Sequence, residues 1–328
     1  MNIFKDKKKI IRLLILLAAL LPLMVSDQYI LRLMTISGIY VILAVSLNLV
    51  TGYAGQFCLG WAAFYGIGAY TSALIVTKLG LSFWLAFPLA GIVAALFGIV
   101  LAIPTMRLRD IYLALTTLGF GEIVRLVLLN WMDLTRGSMG IPGIPSPSLF
   151  GYPLDSPFFY YYFILTMVLL IIAAIGRIID SRMGRALIAI RENEIAAKSM
   201  GINTTAYKIQ AFAVAAFFSG LAGSFYAHYS SYIDPNAFGF GESIAILAMV
   251  VLGGMGSTVG AVFGAVMLSL LPEVLRGLAE YRMIIFGGIL MAVMLVRPQG
   301  FFGHAGDGYK KIRRSVEEVR PDGATGNS

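Results

Sequence analysis

Of 328 residues, 59% are hydrophobic and 13% charged, with a formal net charge of +8 and a mean hydropathy of +0.83. Soluble domains carry about 25% charged residues, so this is an integral membrane protein. Its basic residues flank apolar runs in short clusters, where they set topology, and nucleic-acid binding is excluded. The single cysteine, Cys58, rules out a disulfide framework or a thiolate metal cluster and reads as a small buried hydrophobe.

The first apolar run, Ile10 to Val25, follows Lys5, Lys7, Lys8 and Lys9, as the core of a signal peptide follows its charged head. No small-residue cleavage site follows it and a second span begins almost at once, so a retained helix is expected. A helix needs roughly 20 apolar residues to cross the hydrocarbon core. On that criterion spans are expected near 10–26, 29–51, 57–77, 83–104, 110–130, 157–179 and 206–229.

The stretch TGYAGQFCLGWAAFYGIGAY is rich in glycine, but no G-K-[ST] follows it and no phosphate loop is indicated. Small residues at three- and four-residue spacing suit close helix packing in lipid. Gln56 within it carries an amide that needs partners. In LGFGEIVRLVLLN, Glu122 and Arg125 are three positions apart and neutralise each other on one helix face. Such a pair lines a polar pathway or holds two helices together. Thr116 and Thr117, one turn earlier, can satisfy their hydroxyls on their own helix backbone.

The connection from Trp131 to Pro157 carries Pro142, Pro145, Pro147 and Pro153 and shows no periodicity. It falls on the external side, and Tyr152 and Phe158 to Tyr162 bracket its return to the membrane. It reads as a docking surface for an external partner or as a cover over the bundle, and both stay open.

RALIAIRENEIAAKSMGINTTAYK, Arg185 to Lys208, is a charged, helix-prone stretch between two spans, held inside by Arg177, Arg182, Arg185, Arg191 and Lys198. Asn193 or Glu192 can begin a short helix that Gly201 ends, and Asn203, Thr204 or Thr205 can cap the next span. Ile188 and Ile195 share one face, and Arg191, Glu194 and Lys198 another. Small Ala196 and Ala197 permit close backbone approach, which suits a groove on another protein. A helix lying on lipid would want more Trp, Phe or Leu.

Ser243 to Leu271 is interrupted at Gly253, Gly254 and Gly256, followed by Ser257. It is a broken helix lining a cavity near the midplane, or a glycine-rich helix allowing close packing. The part from Ser243 to Leu252 reaches only about 15 Å, half the core. Counting two segments here leaves Arg32, Lys78, Arg136, Arg276 and Arg282 outside and Arg125 within a span. The other Lys and Arg of the 25 then lie inside with both termini. The last run, Met283 to Val296, stops at Arg297-Pro298.

The expected fold is therefore all-α: a polytopic membrane bundle of about ten transmembrane elements, including a Gly-broken or re-entrant pair. One domain spans 1–302, with a cytoplasmic loop at 181–205 and an external loop at 131–157. A basic, loosely ordered cytoplasmic tail occupies 303–328. Catalysis is not indicated: the two histidines, His228 and His304, are isolated, and neither HExxH nor G-x-S-x-G occurs. Gln56, Glu122, Arg125, Gly253, Gly254, Gly256 and Ser257 are the candidate pathway or helix-break positions. An ion-coupled carrier would depend on Glu122, and a structural or assembly protein would carry no flux.

EIAAKSMGINTTAYKIQAF resembles the coupling loop of ABC-importer permeases, in which a pattern close to E-A-A-x-x-x-G marks the helix that seats on an ATPase subunit. Ala196, Ala197 and Gly201 match that spacing, Ile195 takes the glutamate's place, and Glu194 lies one residue earlier. LNLVTGYAGQFCLGWAAFYGIGAYTSAL, RLRDIYLALTTLGFGEIVRL, SGLAGSFYAHYSSYIDP and SIAILAMVVLGGMGSTVGAVFGA occur in that order. Together they resemble the LivM-type permease of branched-chain amino-acid importers, from about Leu47 to Phe301. Trp61 stands where such sequences often carry a histidine. The resemblance implies half of a translocation pathway in a bacterial or archaeal inner membrane, paired with a second, similar permease. Two cytoplasmic ATPase subunits and an extracytoplasmic solute-binding protein would complete it. ATP would be used by those partners, with no cofactor on this chain, and Arg191, Glu192, Glu194, Ala196, Ala197 and Gly201 would form the coupling surface. Broken-helix ends near Gly253 to Ser257 would meet the amino acid's charged groups. Related permeases move urea or short amides, which the spans do not exclude.

Overall fold

The computed structural model describes residues 27–105, 108, 110–149, 152–274 and 300–302, with isolated positions 22, 287, 288 and 291. Apart from those isolated positions, the expected first span, the last run and the tail from 303 lie outside the described residues.

Helix α1 (Gln28–Asn48) starts where the Asp27 carboxylate accepts from the Tyr29 N–H, and it ends in a π-helical turn, Leu49–Tyr53. Then come α2 (Ala62–Leu79), α3 (Phe83–Thr105), α4 (Asp110–Asn130) and α5 (Pro157–Asp180). Two short helices, α6 (Arg182–Glu192) and α7 (Glu194–Ser199), lead into α8 (Thr204–Ser230). The described chain closes with α9 (Phe240–Gly253) and α10 (Thr258–Val274). Six stretches among the described residues are long and apolar enough to cross a membrane: Gln28–Tyr53, Phe83–Thr105, Ile111–Asn130, Pro157–Asp180, Thr204–Ser230 and Pro235–Gly253.

Two boundaries differ from expectation. The span expected at 57–77 becomes a helix only at Ala62, because residues 54–61 run unwound inside the bundle. Such backbone is tolerated at membrane depth only when protein satisfies it. Here the Leu59 N–H donates to Thr117 Oγ1 at 3.0 Å and the Ala62 N–H to Ser243 Oγ at 3.0 Å. Cys58 is fully buried, as expected, and so is Trp61, which packs edge-on against Phe64. The second correction concerns the segment judged too short at Ser243 to Leu252. Its helix starts at Phe240, and the 3-10 turn Pro235–Phe238 extends the apolar stretch to 19 residues.

α8 is the central element, buried against α2, α3 and α1. Close approach explains why: a β-carbon on Gly68 would strike the Gly220 backbone, and one on Gly220 would meet Ala94 Cβ at 2.5 Å. Ser46 and Ser219 share a hydrogen bond of 2.9 Å across α1 and α8. Small residues and buried hydroxyls are what hold helices together when lipid supplies no hydrophobic drive.

The Trp131 to Pro157 connection is folded, and it covers one end of the bundle. A one-turn helix and a 3-10 turn precede β1 (Ile141–Pro142), which pairs antiparallel with β4 (Tyr232–Ile233). A second ladder joins β2 (Ser148–Leu149) to β3 (Tyr152–Pro153). Ile141 and Ile144 are buried, and Trp84 Nε1 donates to Ser148 O at 2.9 Å. Two-residue strands carry no alternation for a sequence pattern to detect.

At the opposite end α9 and α10 form a hairpin whose glycines break the helix and also allow close packing; the break lies at this end of the bundle, against Asn48 and Arg191, and not midway along it. The helix breaks at Gly254 (φ 112°) and Gly256 (φ 81°). Gly253 and Gly260 also let the two helices touch backbone to backbone. The last carbonyls of α9, Leu252 O and Gly253 O, accept from the Phe301 and Phe302 N–H groups at 2.9 Å.

Candidate functional site

The 181–205 segment is built by end-capping chemistry. Ser181 Oγ accepts from the Met183 N–H at 3.1 Å and starts α6. At Asn193 the backbone extends (φ −160°, ψ 106°), and its side chain accepts from the Ala196 N–H at 3.0 Å to open α7. The helix closes in a Schellman motif: Gly201 N–H donates to Lys198 O and Ile202 N–H to Ala197 O. Gly201 supplies the left-handed residue that this motif requires, with φ 80°. Asn203 then accepts from the Ala206 N–H at 3.1 Å and begins α8.

Which side chains face outward departs from the sequence reading in two ways. Ala197 is turned into the chain at 5% exposure, whereas Ala196 is exposed. Ile188 and Ile195 share no continuous face, because the extended Asn193 separates α6 from α7. Ala186, Leu187 and Ile190 are the buried apolar side chains of α6, while Ile195 (65%) and Met200 (83%) point away from the protein. Glu194 turns back to Lys208 at 2.7 Å, and Lys208 is 2% exposed in the first turns of α8. A buried ammonium needs such a partner. Lys208 was not singled out from sequence because it follows a cap and precedes an apolar run, as any span-flanking lysine does.

Two clefts open on this segment. One, of about 250 Å³, is lined by Gln56, Arg191, Glu192, Asn193, Glu194 and Lys208 among others. The other, of about 420 Å³, is lined by Arg182, Arg185, Gly201 and Tyr207. Gln56 thus joins the Arg191 group, and its Nε2 donates to Ala54 O at 3.3 Å.

The helix-break candidates lie at the same end. Gly256 N–H donates to Asn48 Oδ1 at 2.9 Å, and Tyr53 Oη shares a 3.1 Å hydrogen bond with Thr258 Oγ1. Ser257 accepts from the Gly260 N–H at 3.1 Å and caps α10. Asn48 is 1% exposed, and its Nδ2 has no hydrogen-bond partner among the described residues. Leaving such a donor unpaired costs about 1–3 kcal/mol.

Glu122 and Arg125 lie elsewhere. They pair side by side on α4, and Arg125 Nη1 also donates to Asn236 Oδ1 at 3.1 Å, tying α4 to the turn before α9. Thr116 and Thr117 donate to Tyr112 O and Ala114 O of their own helix, as expected. One intramembrane carboxylate escaped the sequence reading: Glu242, in the first turn of α9, accepts from the Tyr40 hydroxyl. The signal available was an acidic residue inside an apolar stretch. His228, at the far end of α8, is 1% exposed and hydrogen-bonded through both ring nitrogens, to Pro145 O at 2.7 Å and Ser72 Oγ at 2.9 Å.

Fold and site together define a multi-pass helical membrane protein with an ordered polar segment at one end. Residues 29–294 match the family described as branched-chain amino acid transport system / permease component, and the chain belongs to that family. It is 41% identical over 317 residues to the high-affinity branched-chain amino acid transport system permease protein LivM of Salmonella typhimurium, covering 90% of this chain and 74% of that protein. The Escherichia coli LivM protein is 40% identical over 319 residues, covering 90% of this chain and 75% of its own length. A second permease protein of that name series, LivH of Salmonella typhimurium, is 27% identical over 293 residues, covering 82% of this chain and 92% of its own. No solved structure matches the chain. The family is one of transporter permease components, so the chain is not an enzyme.

Proposed function

We propose that this chain forms half of the pathway by which an ATP-driven importer takes leucine, isoleucine and valine across the inner membrane. The LivM proteins are named for branched-chain amino acid transport, and their likeness covers nearly the whole chain, which favours these substrates over urea or short amides. The LivH likeness supports a second, similar permease as partner. Two cytoplasmic ATPase subunits and an extracytoplasmic solute-binding protein complete the assembly. ATP is used by the ATPase subunits, and no cofactor is assigned to this chain.

In this reading α7 is the coupling helix, within a bundle of about ten transmembrane elements whose termini are both cytoplasmic. The observation that carries it is the pair of exposed apolar side chains, Ile195 and Met200, on a helix that is otherwise capped at both ends and anchored from behind by Lys208. Exposed apolar groups on a rigid, polar-rimmed element suit a protein groove. ATP acts by binding the closed ATPase pair more tightly than the open one, and the segment carries that shift to the spans. Substrate choice is set largely by the solute-binding protein, which docks at the covered end around 131–157. The hairpin glycines Gly253 to Ser257 are helix-break positions beside the coupling segment, and Glu122 and Arg125 hold α4 against the turn before α9.

The test is uptake of labelled leucine into proteoliposomes containing the complex, with ATP on the ATPase side. Wild type is expected to accumulate leucine only with ATP, and the double variant Ile195→Glu, Met200→Glu to insert normally yet lose uptake. Uptake without ATPase subunits, or undiminished uptake in the double variant, would contradict the proposal.

A further inference from the structure

Two separate helix discontinuities and the coupling segment meet at one side chain. Arg191 closes α6, and its Nη1 donates to Gly52 O at 2.6 Å, a partner 139 positions away. Gly52 lies in the π-helical turn that ends α1. The last carbonyls of a helix run out of intrahelical N–H partners and carry the negative end of its dipole, so a guanidinium is a well-matched cap for Gly52 O. The contact is close on every side. A β-carbon on Gly256 would lie 2.5 Å from the same Nη1, and one on Gly55 would lie 3.1 Å from Arg191 Cγ. Gly256 in turn holds Asn48 of α1 through its N–H. The end of α1, the α9–α10 turn and α6 therefore share one junction, with Arg191 entering it from the coupling segment.

We propose that Arg191 is the positioning residue that transmits movement of the coupling segment to the spans, by fastening that segment to the end of α1 and to the α9–α10 turn at a single point. The inference rests on the coupling reading of α7. When the ATPase subunits displace α6 and α7, the guanidinium carries the Gly52 carbonyl and the Gly256 turn with it, so two spanning elements respond to one shift. The link runs by hydrogen bond from Arg191 to Gly52 and from the Gly256 N–H to Asn48 of the same helix, with the guanidinium packed against Gly256, and such direct contacts supply physical coupling that spatial neighbourhood alone does not. Arginine suits the position because its stem lies along Gly55 while its planar fork reaches the carbonyl.

The experiment uses the complex purified through a tag on this chain, with leucine uptake and ATP hydrolysis measured on the same proteoliposomes. In Arg191→Ala, uptake per ATP hydrolysed is expected to fall at least tenfold while hydrolysis stays within threefold of wild type. Arg191→Lys should recover part of the loss. Gly256→Ala keeps the arginine but sets a methyl against its guanidinium, and it should reproduce the defect. Gly80→Ala, which carries the same left-handed backbone strain (φ 64°) but meets open space, should not. Unchanged uptake per ATP in Arg191→Ala would overturn the proposal. Equal loss of uptake and hydrolysis in an intact complex would also overturn it, since that marks a contact needed only for assembly or ATPase activity. Should Arg191→Ala not assemble, Gly256→Ala decides by the same two readouts. Absence of ATP-dependent uptake in wild type would instead remove the coupling reading on which the inference stands.

Discussion

The two ends of α8 are finished in opposite ways. Around its C-terminus the polar groups form a closed, neutral series: Ser224 Oγ donates to Ser72 Oγ, Ser72 donates to His228 Nε2, and His228 Nδ1–H donates to Pro145 O. The last acceptor is a carbonyl, which fixes the histidine tautomer and with it every donor in the row. Ladder pairing and buried Ile141 and Ile144 complete that seal. Around the N-terminus the links are charged and run inward from the 181–205 segment: Arg191 to a backbone carbonyl, Lys208 to Glu194, with an open cleft beside them. On the proposed coupling reading, the contrast separates an end built to hold its shape from an end built to be gripped and moved.

The largest expected stability effect comes from unbalancing the ion pair. Glu194→Ala leaves the buried Lys208 ammonium without a partner and should cost about 3 kcal/mol. Lys208→Met leaves only the partly exposed Glu194 and should cost about 1 kcal/mol or less. Thermal melting of both variants in detergent checks the asymmetry, and equal costs would mean that the lysine is solvated. At the sealed end, His228→Leu orphans Pro145 O and breaks the serine row, for an expected loss of about 2 kcal/mol. Loss of protection from protease at the 131–157 cover would accompany it. Gly201→Ala should cost about 1 kcal/mol through its left-handed backbone, since no atom obstructs the methyl. Smallest for stability is Met200→Ser, expected to stay within about 0.5 kcal/mol while weakening recovery of ATPase subunits with the tagged chain. A large drop in melting temperature there would show that Met200 packs within the protein.

What the sequence disclosed follows the same division. Capping is local chemistry, so residue type and spacing offered Asn193 or Glu192, Gly201, and Asn203, Thr204 or Thr205, and the structure uses Asn193, Gly201 and Asn203. Most spans were legible for a similar reason, as each is a continuous apolar run. Relations between distant residues were not. Nothing in the spacing of Gly52, Arg191 and Gly256 indicates that they touch, and Ala197 looked as available as Ala196 until the turn at Asn193 oriented α7. Glu242 was passed over beside the more conspicuous Glu122 and Arg125 pair. Residues 57–61 looked helical because Cys58 and Trp61 are apolar, although their burial serves an unwound segment.

The central claim is that the exposed face of α7 seats on an ATPase subunit. The most direct measurement replaces Ala196 with cysteine in a chain whose buried Cys58 has been changed to alanine, then oxidises native membranes mildly and identifies what is captured. The account predicts capture of an ATPase subunit, with a yield that changes when ATP is added. No capture at Ala196 in membranes that still import leucine would contradict it.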